Sequence, residues 1–190
     1  MAKSAYHHGD LRATLLNAAA EQVAAEGVDS ISLRALAQRA GVSHAAPAHH
    51  FGNRQGLLTE LAIQGHTLLA DELQSAAGDF REVALAYIRF ARRHPGHFDV
   101  MFRRELLRAD DARLTAARAQ SGRELRGGIA QLGVSAEEAR SAQLAAWSLV
   151  HGFAALWREG ALEGSELGGA DPEELARRML DAVELIPAVD

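Results

Sequence analysis

Apolar residues recur at helical spacing along almost the whole chain, and glycine or proline closes run after run. Leu11, Leu15, Ala19 and Val23 form a first stripe that stops at Gly27. Leu33, Leu36, Ala37 and Ala40 follow at i, i+3, i+4 and i+7, an apolar face completed within eight residues. Leu57, Leu58, Leu61, Ala62, Leu68, Leu69 and Leu73 mark a long helix from near Gln55, and Phe80, Val83, Ala84, Tyr87, Ile88 and Ala91 mark another, closed by His94-Pro95-Gly96. A short apolar helix with Phe98, Met101 and Phe102 comes next. Ala, Leu, Glu and Arg are abundant, and the β-branched and aromatic residues that strands favour are scarce. The fold class expected is all-α.

Helix starts are written as capping residues. Asp10 is the expected N-cap of the first helix, Ser32 of the second, and Ser43 of a third running from His44 to about Phe51. Ser135-Ala136-Glu137-Glu138 matches a capping box, and Asp171-Pro172-Glu173-Glu174 repeats the logic with proline at the first helical position. A helix over Asp111–Leu132 is expected to kink or break at Gly127-Gly128, and Glu163–Ala170 reads as a loop. In Leu144–Trp157 the large residues Trp147, Leu149, Val150, Phe153, Leu156 and Trp157 point around the whole helix, which predicts burial on all sides. One way to surround such a helix in a short chain is to pack one face on its own domain and another on a second copy.

Between Ser32 and Phe51 two short helices are joined by Gly41-Val42-Ser43. Gly41 accepts the left-handed conformation that ends a helix, and Val42 turns into the core. The spacing fits a DNA-reading helix-turn-helix, whose second helix enters the major groove, and equally an ordinary helical hairpin.

The residues themselves separate these readings. Ser32-Leu33-Arg34-Ala35-Leu36-Ala37-Gln38-Arg39-Ala40-Gly41-Val42-Ser43, then Phe51-Gly52-Asn53-Arg54-Gln55-Gly56-Leu57-Leu58, resemble the DNA-binding domain of TetR/AcrR-type bacterial transcription regulators, over about residues 10–60. The resemblance implies a three-helix helix-turn-helix domain over residues 1–54 and a helical ligand-binding and dimerisation domain over 55–190. It further implies a homodimer on a double-stranded operator with two related half-sites, a small-molecule effector, and repression as the default. Dimerisation is expected through the helices around Ser135–Gly160 and Asp171–Leu185.

Carried over position by position, Ser32 is similar to the family's helix-capping phosphate contact, Arg34 to a base or backbone contact, and Arg54 to the phosphate clamp that opens the fourth helix. The recognition helix holds His44, Ala45, Ala46, His49 and His50. Ser43 and His44 lie where free amides favour phosphate, Ala45 or Ala46 suits a thymine methyl, and the histidines can donate to phosphate or base edges. Two positions depart from the family pattern: Ala48 replaces the usual tyrosine, which removes a phosphate-contacting hydroxyl, and Pro47 replaces the common leucine. Proline this early in a helix costs only an amide donor near its start.

Charge gives less direction. The net charge is −5, and the first sixty residues are neutral, with five positive and five negative side chains. DNA binding therefore has to rest on local charge placement. With no cysteine, disulfides, iron–sulfur clusters and thiolate zinc sites are excluded. The nine histidines lack metal-ligand spacing, since His44 and His49 are five apart and His94 and His97 straddle a helix breaker. No nucleophile–base pair, phosphate loop or flanked carboxylate pair suggests an enzyme, and no cofactor is implied. Neither a secretory signal nor a membrane-length apolar run is present, so a cytoplasmic location away from membranes is expected. Tyr87, Phe98, Met101, Phe102, Trp147 and His151 are the candidate effector contacts, each also suited to plain core packing. The alternative to a ligand-responsive regulator is a helical dimeric scaffold with a degenerate helix-turn-helix.

Overall fold

Three glycines with positive φ cut the N-terminal part of the chain into separate helices: Gly27 (83°), Gly41 (66°) and Gly52 (76°). Each sits where a side chain would strain the turn. The computed structural model describes residues 7–127, 136–162 and 171–183. Among these there is no strand, and the helices run α1 (His7–Glu26), α2 (Leu33–Arg39), α3 (Ala45–Phe51), α4 (Arg54–Ser75), α5 (Phe80–Arg93), α6 (Pro95–Met101), α7 (Ala112–Gly127), α8 (Ala136–Arg158) and α9 (Pro172–Ala182). Single 3₁₀ turns lie at Val28–Ser30 and Arg104–Leu106. The all-α class is confirmed, and no helix among the described residues is long and apolar enough to cross a membrane.

Several helix boundaries differ from expectation. α1 begins three residues before Asp10, which is therefore inside the helix and not its cap. Ser43 does not cap α3 either. His44 is the N-cap with helical φ and ψ and no side-chain cap bond, and the chain enters α3 through the Ala46 N–H to Ser43 carbonyl bond of 3.0 Å. A side-chain cap needs an extended residue at that point, and this turn is already helical there. α7 is helical to Gly127; the remainder of the expected Asp111–Leu132 helix, Ser135 of the capping box, the Glu163–Ala170 loop and Leu185 lie outside the described residues. Asp171 behaves as expected, its Oδ1 accepting from the amides of Glu173 and Glu174 at 2.9 and 3.1 Å, with Pro172 following.

The helices pack as two units. One comprises the described residues through His66 together with His94–Arg118, the other Thr67–Arg93 and the described residues from Ala119 onward, so the divisions fall inside α4 and α7. Packing thus groups His94–Arg118 with the N-terminal helices, whereas the sequence-based division after Arg54 follows the expected roles.

In the first unit one apolar core takes Leu15, Leu16, Ala19 and Val23 from α1, Leu36 from α2, Phe51 from α3 and Leu57, Leu58 and Leu61 from α4, and closes with Val100, Leu107 and Leu114. α6 lies against α1 because residue 96 is glycine: a Cβ there would stand 2.0 Å from the Ala20 carbonyl oxygen. Also buried are His66 and His97, and His97 Nε2 donates to Gln64 Oε1 at 3.0 Å. In the second unit α5 is buried on most sides and packs on α8 and α9. Arg89 joins Glu82 and Glu173 there, and Arg92 pairs with Asp171.

Burial of the two histidines makes stability depend on pH. Removal from water lowers the His66 pKa to about 4, with Arg118 adding repulsion; the same burial, with His94 nearby, lowers that of His97 to about 4. Folded values below the unfolded 6.5 mean that the unfolded chain takes up protons first. Stability is therefore full above pH 6.5 and drains as pH falls toward 4, on the order of 3 kcal/mol for each histidine. Denaturant unfolding at pH 7 and pH 4.5 is expected to show the loss, and His97→Gln to reduce it; a profile flat across that window contradicts this assignment.

Candidate nucleic-acid interface

A recognition helix has to show one face to solvent while the other is held by the core. α3 does this with seven residues: Pro47 and Phe51 are buried, whereas Ala45, Ala48 and His49 are exposed, as are Ser43 and His44 just before it. Ala46 and His50 are half-buried, and the His50 ring leans on Phe51 at 6.1 Å. Pro47 leaves the helix intact. Of the recognition-helix residues expected from the sequence, His44, Ala45 and His49 thus share the open face, with Ala46 and His50 at its margins.

α2 contributes two more. The Ser32 hydroxyl accepts from the Ala35 amide at 3.1 Å, closing the N-terminus of α2 as expected. Arg34, two residues further on, is exposed. It stands apart from the other arginines of this stretch: Arg39 pairs with Glu26 at 3.1 Å, Arg12 pairs with Glu60, and Arg54 turns inward. Among the described residues through Glu60, Arg34 is therefore the arginine without a hydrogen-bond or ion-pair partner, which is how a neutral head keeps positive charge for an external anion.

Arg54 is placed differently from what a phosphate clamp suggests. Its Nε donates to the Ile31 carbonyl at 2.9 Å and its Nη2 to that of Val28 at 2.8 Å, with Asp29 at 3.8 Å. The side chain staples the start of α4 to the 3₁₀ turn ahead of α2. A second group was not visible in the sequence: Gln55 Nε2 donates to the Leu107 carbonyl at 3.2 Å, and the Arg108 amide donates to Thr59 Oγ1 at 3.0 Å. These partners are about fifty residues apart in sequence, too far for any local pattern to signal; the one hint was Gly56, whose missing Cβ leaves room for the Arg108 guanidinium.

The six candidate effector residues fall three to each unit. Phe98, Met101 and Phe102 belong to the first, with Phe98 and Phe102 edge to face at 5.5 Å and His66 at 6.0 Å from Phe102. Tyr87, Trp147 and His151 belong to the second and come together: Tyr87 Oη is 2.8 Å from His151 Nδ1, and the Trp147 ring is 5.9 Å from that of His151. Burial raises the Tyr87 phenol pKa, against a hydrogen bond donated by Trp147, and lowers that of His151, so both are neutral at pH 7. A cleft of about 380 Å³ in the second unit is lined by other residues, among them Glu72, Asp79, Glu82 and Arg89. No group of three or more metal-ligating side chains gathers among the described residues.

A three-helix head with a glycine-ended α2, a tight turn and an exposed α3 defines a helix-turn-helix regulator. Residues 15–61 match the model for bacterial regulatory proteins of the tetR family, and residues 80–183 match the tetracyclin repressor-like C-terminal domain. The chain is 30% identical to the uncharacterised HTH-type transcriptional regulator YobS of Bacillus subtilis (strain 168), over 80% of this chain and 81% of that one. Among solved structures it is similar to SCO4313 (26% identity, TM-score 0.76, 93% of this chain and 96% of that) and to a protein of unknown function from Rhodococcus sp. RHA1 (32%, 0.72, 95% and 96%). The protein belongs to the tetR family of DNA-binding transcription regulators.

Because Arg54 holds the head's own backbone, its loss is felt without DNA. Arg54→Ala is expected to destabilise the free protein by about 1–3 kcal/mol through two orphaned, part-buried carbonyls. Thermal unfolding measures this, and a variant as stable as the native chain would return Arg54 to phosphate binding.

Proposed function

We propose that this regulator is a repressor that binds a two-fold symmetric operator as a homodimer and releases it when a small molecule binds. The observation that carries the reading is the division of labour in the head: Pro47 and Phe51 fasten α3 to the core, and Ser32, Arg34, Ser43, His44, Ala45 and His49 are left to solvent. Ala45 and the exposed Ala48 suit thymine methyl groups, His49 is a donor to base-edge acceptors, and Arg34 supplies the charge. Ala46 and His50 stand at the edge of this surface, and Arg54 supports it through its bonds to the Val28 and Ile31 carbonyls. The reading is a DNA-binding function with no catalytic step, exercised beside the chromosome in the cytoplasm.

Homodimer formation is supported by α8. It buries Ala146, Val150 and Ala154 within the chain, whereas Leu144 (61%), Leu156 (46%) and Trp147 (41%) are exposed. The expectation of burial on every side is not met by one chain, and a second copy on the side that carries Leu144 and Leu156, opposite the buried alanines, continued by α9, supplies what is missing. For the effector, the Tyr87–His151–Trp147 group offers neutral polar atoms beside aromatic surface, with Phe98, Met101 and Phe102 as further candidates. Effector and operator then weaken each other's binding, because each favours a different arrangement of the two heads.

Selection of bound sequences from a random duplex library is expected to enrich a motif with two-fold symmetry. Arg34→Ala should weaken binding to it by about 1–3 kcal/mol if the guanidinium reads a base, or flatten the salt dependence by about one unit if it meets phosphate. Absence of any enriched motif would favour a scaffold role. Separately, Leu144→Glu together with Leu156→Glu is expected to leave a folded monomer in sedimentation; an unchanged dimer would place the interface elsewhere.

A further inference from the structure

The turn between α3 and α4 sets where the recognition helix ends and how it is tilted, and its neighbours are not all local. Leu107, beyond α6, is buried in the head's core with Leu36, Phe51 and Leu57. The following residue, Arg108, reaches the turn twice. Its Nη2 lies 3.3 Å from Asn53 Oδ1 and 3.5 Å from the Phe51 carbonyl oxygen, at the C-terminus of α3. The same Asn53 Oδ1 accepts from the Gly56 amide at 2.8 Å, so one oxygen receives both the first turn of α4 and the arginine.

The backbone holds the arginine in place. The Arg108 amide donates to Thr59 Oγ1 at 3.0 Å, Thr59 donates to the Gln55 carbonyl at 2.7 Å, and the Gln55 side-chain amide donates to the Leu107 carbonyl at 3.2 Å. These bonds form a closed circuit between α4 and residues 107–108. Space is reserved for it as well: a Cβ at Gly56 would stand 2.0 Å from the Phe51 oxygen and 2.6 Å from Arg108 Nη2. Glycine at this place in α4 costs helix stability, and what it returns is this close approach.

We propose that Arg108 is a positioning residue for operator reading: it fixes the α3–α4 turn through Asn53 and the Phe51 carbonyl, and thereby the tilt of α3, without itself touching DNA. The inference rests on operator binding by α3. The Arg108 charge is spent on the Asn53 side-chain oxygen and on the Phe51 carbonyl at the end of α3, which also accepts from the Asn53 amide at 2.9 Å, and not on a phosphate.

Two readouts decide it. In the free native protein and in Arg108→Ala, amide hydrogen exchange at Gly52, Asn53 and Gly56 is followed; the substitution is expected to speed exchange at these positions while α8 is unaffected. Operator affinity, on a duplex enriched from the random library, is expected to fall roughly tenfold with the slope of log affinity against log salt unchanged, because no phosphate contact is lost. Arg108→Lys, which keeps the charge without the guanidinium fork, should recover part of both, and gives the same readings should Arg108→Ala fail to fold.

Unchanged exchange at the three amides overturns the clamp, whatever the DNA result. Faster exchange with undiminished affinity overturns its part in reading. A slope shallower by about one unit shows direct phosphate contact and overturns the assignment. If the native protein enriches no sequence, operator reading itself fails and the proposal falls with it, while the exchange data still report whether the clamp exists.

Discussion

The placement of α3 depends on one shared core. Phe51 ends the recognition helix by entering it, Leu36 brings in α2, Leu57, Leu58 and Leu61 bring in α4, and Val100 and Leu107 bring in chain from beyond α5. The two seven-residue helices α2 and α3 have too little apolar surface to hold a fixed arrangement by themselves. The head is therefore completed by a segment that the chain delivers after leaving and returning, and polar bonds then set details that apolar packing leaves free. Arg54 ties α4 to the turn before α2, and Arg108 ties it to the end of α3.

The local part of this architecture was legible in the sequence. The Leu33, Leu36, Ala37, Ala40 face, the Ser32 cap and the glycine at 41 are read from residues within a turn or two of each other, and the structure shows the same helix and cap. Ser43 looked like a cap and is not, because capping is a matter of backbone angle, and the angles at His44 are set by the whole turn. Arg54 was similar to the family's phosphate clamp, and nothing local reveals that the carbonyls of Val28 and Ile31 also lie within its reach. Residues 94–118 carried no signal that they pack with the head, since helical periodicity tells which face is buried and not against what.

Composition described the second unit less well. The aromatic and aliphatic residues of α8 predict a helix surrounded by other groups, and one chain buries the Ala146, Val150 and Ala154 face, half-buries Leu149, Phe153 and Trp157, and leaves Leu144, Trp147 and Leu156 exposed. A sequence records how much apolar surface must be hidden, and a second copy can hide it as well as the first. Tyr87, Trp147 and His151 show the converse. They are spread over α5 and α8 and would pass for packing, yet they converge, with Tyr87 hydrogen-bonded to His151 and both kept neutral by burial.

That the exposed face of α2 and α3 is the surface that meets DNA is the claim on which the rest turns. Hydrogen exchange of the native protein, measured with and without a duplex it selects, tests it most directly. The account predicts slowed exchange concentrated at the start of α2 and along α3, between Ser32 and Phe51. Protection that spares this stretch and appears on α8 or α9 instead would contradict it.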